Sequence, residues 1–147
     1  GSTIAFIIVK ITNLELIRLN YGEETVAEAE RKVAEILVEN RKEGDICGIF
    51  REGEFALFAD HTNFDLVRAY GNVRAYVKEL NDKLKECCLD DDRGYIKCAV
   101  GASVYPETSD DYDELYEMAE KACEKAEHSE DARAVIYDKK EEEVSRS

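Results

Sequence analysis

The hydrophobic pattern changes period several times along the chain, and each change marks an element. Residues 4–9 (Ile-Ala-Phe-Ile-Ile-Val) are an unbroken apolar run, as in a central strand buried on both faces. Thr12 or Asn13 can cap a short helix with Leu14, Leu16 and Ile17 as its apolar face, and Tyr21-Gly22 ends it. A second helix over residues 24–40 carries Val26, Ala29, Val33, Ile36 and Leu37 on one stripe. Residues 42–45 (Lys-Glu-Gly-Asp) read as a turn. Two short strands follow at 46–50 and 55–59, joined through Arg51-Glu52-Gly53-Glu54, a hairpin signature. Thr62 or Asn63 can cap a long helix in which Val67, Tyr70, Val73, Val77, Leu80 and Leu84 recur at helical spacing. Residues 89–94 (Leu-Asp-Asp-Asp-Arg-Gly) form an acidic loop, and a strand over 95–105 ends at Pro106. Asp110 or Asp111 opens a helix to about residue 127, with Tyr112, Leu115, Met118, Ala119, Ala122 and Ala126 facing inward. A last short strand spans 134–137.

The predicted order is β-α-α-β-β-α-β-α-β, without an internal repeat or a linker long enough to divide it. A hairpin between helical crossovers implies an α+β domain, one mixed sheet covered by helices in the ferredoxin-like manner. Gly1-Ser2 reads as a cloning remnant, and if it is one the chain is expected to be a piece of something longer. Residues 3–138 read as one domain and 139–147 as a charged, frayed tail.

Composition narrows the chemistry. The chain has 147 residues, 44% of them hydrophobic, enough for a real core. Its net charge of −14 comes from 34 acidic and 20 basic residues. Such a field repels phosphate backbones and anionic lipid, so nucleic acid and membrane contact are not expected. It also opposes a triphosphate unless a local cationic pocket compensates. No apolar run approaches the ~20 residues of a membrane helix. The cysteines (Cys47, Cys87, Cys88, Cys98, Cys123) are odd in number and lack a C-x-x-C pair. They read as small buried hydrophobes in a reducing cytoplasm, with only Cys87-Cys88 as a candidate reactive pair. His61 and His128 lack partners at ligand spacing, and no metal or cofactor is expected.

Three strings carry a resemblance. They are Arg51-Glu52-Gly53-Glu54-Phe55-Ala56-Leu57 on the hairpin, Val100-Gly101-Ala102-Ser103-Val104-Tyr105-Pro106 on a strand, and Tyr21-Gly22 with a closing Val135-Ile136-Tyr137-Asp138. In this order and spacing the chain, from about Thr3 to Asp138, resembles a GGDEF (diguanylate cyclase) domain. There the hairpin bears G-G-[DE]-E-F, the strand reads S-I-G-V-A-x-Y-P, and the ends read Y-G-H and V-x-x-Y-D. The resemblance implies a central mixed, mainly antiparallel five-stranded sheet flanked by helices, of the nucleotide-cyclase type.

It also implies a chemistry: two GTP molecules, one on each of two facing domains, joined by attack of a 3′-hydroxyl on an α-phosphate. Carboxylates hold two divalent cations, basic side chains hold phosphates, and polar groups read guanine. This chain departs from that pattern almost everywhere. The metal-ligating D-x-D at the end of the first strand is Lys10-Ile11-Thr12. Arg51 and Glu52 replace the two glycines that let the backbone approach the nucleotide, and Gly53 replaces the metal-binding carboxylate. Only Glu54 and Phe55 remain. The guanine-reading positions fall at Arg18 and Ala27, and the phosphate-binding cations fall at Glu15, Glu127 and Asp131. The family's feedback site, R-x-x-D, falls at Lys42 and Asp45; Asp45 is kept, Lys42 lacks the planar fork of arginine, and Arg41 stands adjacent. A solvated turn is the plainer reading there.

The residues of this site therefore read as vestigial. Glu54 is more simply a solvent-exposed hairpin acid than a leftover ligand. Lys10 is either a substitute cation pairing with Glu54 or a plain strand-end lysine. Tyr70, Tyr76, Tyr112 and Tyr116 read as helix-packing groups rather than a ligand cage. The expected function is a catalytically inactive regulatory or interaction module of a larger bacterial signalling protein in the cytoplasm. Its partners would be neighbouring domains of the parent protein or a partner signalling domain, with homodimerisation left open. The alternatives are residual or altered nucleotide processing, or sensing of another anionic ligand near Lys10, Arg18 and Arg51.

Overall fold

The computed structural model describes residues 2–41, 46–62, 66–105, 111–129 and 134–137. The turn at 42–45, Asn63, Pro106, Asp110, Asp131 and the tail from residue 139 lie outside the described residues.

The central apolar run becomes β1 (Ser2–Ile11), the middle strand of a five-stranded sheet ordered β2-β3-β1-β4-β5. Its neighbours are β3 (Glu54–Thr62) and β4 (Cys98–Tyr105), both antiparallel to it. β2 (Ile46–Arg51) pairs antiparallel with β3, and β5 (Ala134–Ile136) adds to β4 in parallel. The sheet is thus mixed and mainly antiparallel, as the sequence predicts. The strand expected over 95–105 is shorter: Tyr95 forms only an isolated bridge with Cys88.

Alternation along β1 divides the interior. Ala5, Ile7, Val9 and Ile11 enter the larger core, where α1 (Leu14–Tyr21), α2 (Glu23–Glu39) and α3 (Leu66–Lys85) supply Ile17, Val26, Val33, Leu37, Val77 and Leu84. Phe6 and Ile8 enter the smaller core with Ala119, Cys123 and Ala126 of α4 (Tyr112–Glu127). Helices therefore cover both faces. Gly22, at φ +91°, lets α1 turn directly into α2 in a conformation costly for other residues.

Several local expectations are corrected. Asn13 occupies the N-cap of α1 but makes no side-chain cap hydrogen bond: its amide donates to Tyr95 O and accepts from Lys97 N, fastening the helix start to the lead-in of β4. Leu16 is exposed, because only Leu14 and Ile17 of α1 point at the sheet. Tyr112 is also exposed rather than inward and stacks on Tyr105 at 5.8 Å. Asp111 does cap α4, accepting from Asp113 N at 2.9 Å.

One contact fixes α4 against the sheet. A Cβ added at Gly101 would lie 2.1 Å from Cys123 N and 2.3 Å from Ala119 O. Helix backbone thus rests on strand backbone with no side chain between them.

Candidate functional site

The end of β1, the tip of the β2–β3 hairpin, the start of α1 and the last turn of α4 meet at one end of the sheet. Lys10 and Glu54 are direct register partners, so the hairpin tip stands beside the first strand as the sequence predicts. Ile11 N donates to Gly53 O at 2.8 Å, locking the tip to β1. Gly53 has φ +72°, and a Cβ there would come 2.7 Å from Leu14 Cδ2.

Of the two readings of Lys10, neither the pairing with Glu54 nor a plain strand-end lysine is what forms. Lys10 Nζ reaches across the cleft to Glu127 Oε2 at 3.0 Å. That hydrogen bond is the main reason the lysine is held above its ordinary pKa. Glu54 is not a free surface acid either: its carboxylate is half-buried and lies 3.4 Å from Arg51 Nε. Arg51 also donates to Tyr116 Oη at 3.1 Å and lies over the Phe50 ring. A bulge between Ile49 and Arg51 turns that side chain to the same side as Glu54.

These groups border a cleft of about 410 Å³ lined by Ile8, Lys10, Arg51, Glu54, Glu120, Cys123, Glu124, Glu127 and His128. Four glutamates oppose two cations, each of which already has a carboxylate partner. Burial pushes the Cys123 thiol up to about 12, and burial with the Glu120 carboxylate pushes the Tyr116 phenol up to about 12.

A second ionic group closes the other flank. Arg18 donates to Glu15 on its own helix, to Glu52 at the hairpin tip and to Glu23 of α2, the last at 2.6 Å. All three donating nitrogens of the guanidinium are engaged by carboxylates from different elements. Glu30 of α2 accepts from Gly53 N at 3.0 Å. Thr12 is occupied as well, its amide donating to Lys97 O at 2.7 Å and its hydroxyl to the same oxygen at 3.3 Å. Ala27 is exposed on α2 and has no polar side-chain atom.

Lys10, Thr12, Glu15, Arg18, Arg51, Glu52, Gly53, Glu54 and Glu127 therefore gather at one end of the sheet, with Phe55 buried beneath them in the larger core. Asp131, Lys42 and Asp45 lie outside the described residues. Sequence reasoning missed Glu23 and Glu30, and it missed Glu120, Glu124 and His128 on the cleft wall. The recurrence of Tyr116, Glu120, Glu124 and Glu127 at helical spacing was the signal that they share a face. Among the described residues no group of three or more His, Cys, Asp or Glu is arranged to hold a metal ion. Cys87 is buried and its thiol pushed up by that burial, whereas Cys88 is exposed.

A mixed five-stranded sheet with the hairpin tip beside the end of its central strand is the nucleotide-cyclase type of α+β fold. The family profile "Diguanylate cyclase, GGDEF domain" matches residues 1–133, and the chain belongs to the GGDEF family. No curated protein matches it at a significant level. Among solved structures it resembles the active GGEEF domain of a diguanylate cyclase from Vibrio cholerae, at 18% identity and TM-score 0.76, covering 93% of this chain and 84% of that one. It also resembles the GGDEF domain of DgcB from Caulobacter crescentus in complex with c-di-GMP, at 17% identity and TM-score 0.77, covering 92% and 78%. An N-terminally truncated mutant of PA1120 (TpbB or YfiN) from Pseudomonas aeruginosa, comprising only the GGDEF domain, superposes with TM-score 0.82 at 13% identity, covering 99% and 83%. At such identities these likenesses establish the fold alone. Among the described residues no helix is long and apolar enough to cross a membrane.

Proposed function

We propose that this GGDEF domain does not condense GTP and serves as a regulatory or protein-interaction module of a larger bacterial signalling protein in the cytoplasm. The observation that carries the reading is the Lys10–Glu127 ion pair at 3.0 Å. The family resemblance assigns these positions to a metal-ligating aspartate and a phosphate-binding lysine. Here the charges are exchanged, and the two side chains neutralise each other across the cleft. A hard dication prefers clustered oxygen ligands and gains nothing from an ammonium in that place.

The remaining cations add support. Arg18 is enclosed by Glu15, Glu23 and Glu52, and Arg51 lies against Glu54, so neither offers a free charge to phosphate. That also weakens the alternatives of nucleotide processing and of anion sensing in this cleft. In their place stands a surface of mutually paired charges, which suits contact with a neighbouring domain.

Incubation with GTP and Mg²⁺ or Mn²⁺ tests the catalytic half of the proposal. No cyclic di-GMP is expected by mass spectrometry, and product above a heat-killed control overturns the reading. For the regulatory half, the parent protein is assayed with and without this domain. An unchanged output from its other domains, together with unchanged partner binding, refutes the modular role.

A further inference from the structure

Away from the cleft, a pocket of about 300 Å³ opens between the last turns of α3 and the segment leading into β4. It shares no lining residue with the cleft bordered by Lys10 and Glu127. Its walls are Leu84, Ile96, Cys98 and the exposed ring of Tyr95, and its polar groups are Asn81, Lys85 and Lys97. No carboxylate lines it, in a chain whose net charge is −14.

Asn81 is the unusual member. It is only 8% exposed, and its side-chain amide finds no hydrogen-bond partner among the described residues. The amide is not sealed from solvent: it lines the pocket, where it stands available to a ligand in place of water. Lys85 and Lys97 form no ion pair among the described residues, whereas Lys10, Lys32 and Lys83 all do. The end of α3 presents the negative end of its dipole, which the ammonium groups of Lys85 and Lys97 have to offset. Lys83 O and Leu84 O already accept from Glu86 N and Cys87 N.

We infer that this pocket binds a small organic anion, with an apolar or aromatic body between Tyr95, Leu84 and Ile96. Its carboxylate or phosphate head group would be held by Lys85, Lys97 and the Asn81 amide. The amide donates one hydrogen bond that the fold leaves unmade, and the ammonium groups supply charge. The apolar wall selects against a bare inorganic ion. This site is independent of the GTP-binding positions and of the function proposed for them.

The test is a titration of the whole chain with sodium benzoate, phenyl phosphate, benzamide and inorganic phosphate, followed by amide chemical shifts. Benzoate, phenyl phosphate or both are expected to shift Asn81, Lys85, Ile96 and Lys97 saturably, and the tighter probe assigns the head group. Benzamide lacks the charge and inorganic phosphate lacks the body, so each is expected to bind about tenfold more weakly or worse. Lys85→Gln with Lys97→Gln is expected to weaken the better probe by about tenfold, and Lys85→Arg with Lys97→Arg to restore most of it. Asn81→Ala is expected to weaken it several-fold. Absence of saturable shifts with both anions overturns the inference. So does unchanged affinity in the glutamine variant, provided its spectrum shows the native fold.

Discussion

Arg18 on α1 donates to Glu52 at the tip of the β2–β3 hairpin, tying the first helix to the loop that follows β2. Glu15 and Glu23 complete the enclosure of the same guanidinium. The hairpin tip is thereby held down by charge on one side and by the Ile11–Gly53 backbone hydrogen bond on the other.

Because these carboxylates are largely solvated, the network is expected to be sensitive to salt. Arg18→Gln and Glu52→Gln should each lower Tm by a few degrees at low ionic strength, with the double variant little worse than either. At about 1 M salt the screening length shrinks to ~3 Å and the coupling in this double-mutant cycle should largely vanish. A coupling independent of salt refutes the electrostatic account.

Gly101 should be the least replaceable small residue in the sheet. An alanine methyl would meet Cys123 N and Ala119 O, backbone atoms that cannot rotate away. Urea unfolding of Gly101→Ala is expected to show a loss of about 3 kcal/mol or more, at the upper end for overpacking. At Gly22 a Cβ meets nothing within 4 Å, so the cost of Gly22→Ala comes from its φ of +91° alone. With ψ at −178° that backbone region is reached almost only by glycine, so the cost should be about 1–3 kcal/mol.

Exchanging the charges back tests the residue assignment in the cleft. Lys10→Asp alone places a second carboxylate beside Glu127 and is expected to destabilise the fold by about 1 kcal/mol. Lys10→Asp with Glu127→Lys should recover that loss. Adding Arg51→Gly, Glu52→Gly and Gly53→Asp should then create Mn²⁺ affinity, measurable by calorimetry, through the new aspartates and Glu54. The aspartate at position 53 must take a positive φ and displace Leu14 Cδ2, so the variant is expected to lose stability even as it gains the metal. No Mn²⁺ binding by a folded variant refutes the assignment.

Alkaline pH should weaken the fold. Burial pushes the Cys123 thiol up to about 12, and the hydrogen bond to Glu127 raises Lys10 above its ordinary value. In both cases the folded state holds its proton more tightly than the unfolded chain. Their contributions are therefore complete below the unfolded thiol value of about 8.5 and are lost as pH climbs toward 12. Tm is expected to fall steadily over that window. Cys123→Ala should make the fall shallower without abolishing it, because Cys47 and Cys87 are also raised by burial. An equally steep fall in Cys123→Ala removes that thiol as a cause.

Much of the fold was legible because burial imposes period. The apolar run of β1 and the stripes on α2 and α4 could satisfy only a two-faced sheet with helices above and below. The hairpin was legible from the short Glu52-Gly53 connection between two apolar runs. The partners of charged side chains were not, because a long side chain is free to choose among several acids within reach. Lys10 prefers Glu127, from the far end of the chain, to Glu54, its neighbour across the ladder. Likewise, Tyr112 has the spacing of an inward residue, yet it stacks outside on Tyr105. Only the placement of α4, fixed at Gly101, decides which residues of that helix see the core.

The ion pair between Lys10 and Glu127 also bears on the domain's history. On the assignment proposed above, a lineage that has exchanged both charges cannot retrace its steps one substitution at a time without loss. Reverting the lysine alone leaves two acids facing each other, and reverting the glutamate alone leaves two bases. Either intermediate carries repulsion where the present chain has attraction. A stepwise return therefore runs through a neutral side chain at one of the two positions, which gives up the attraction without adding repulsion.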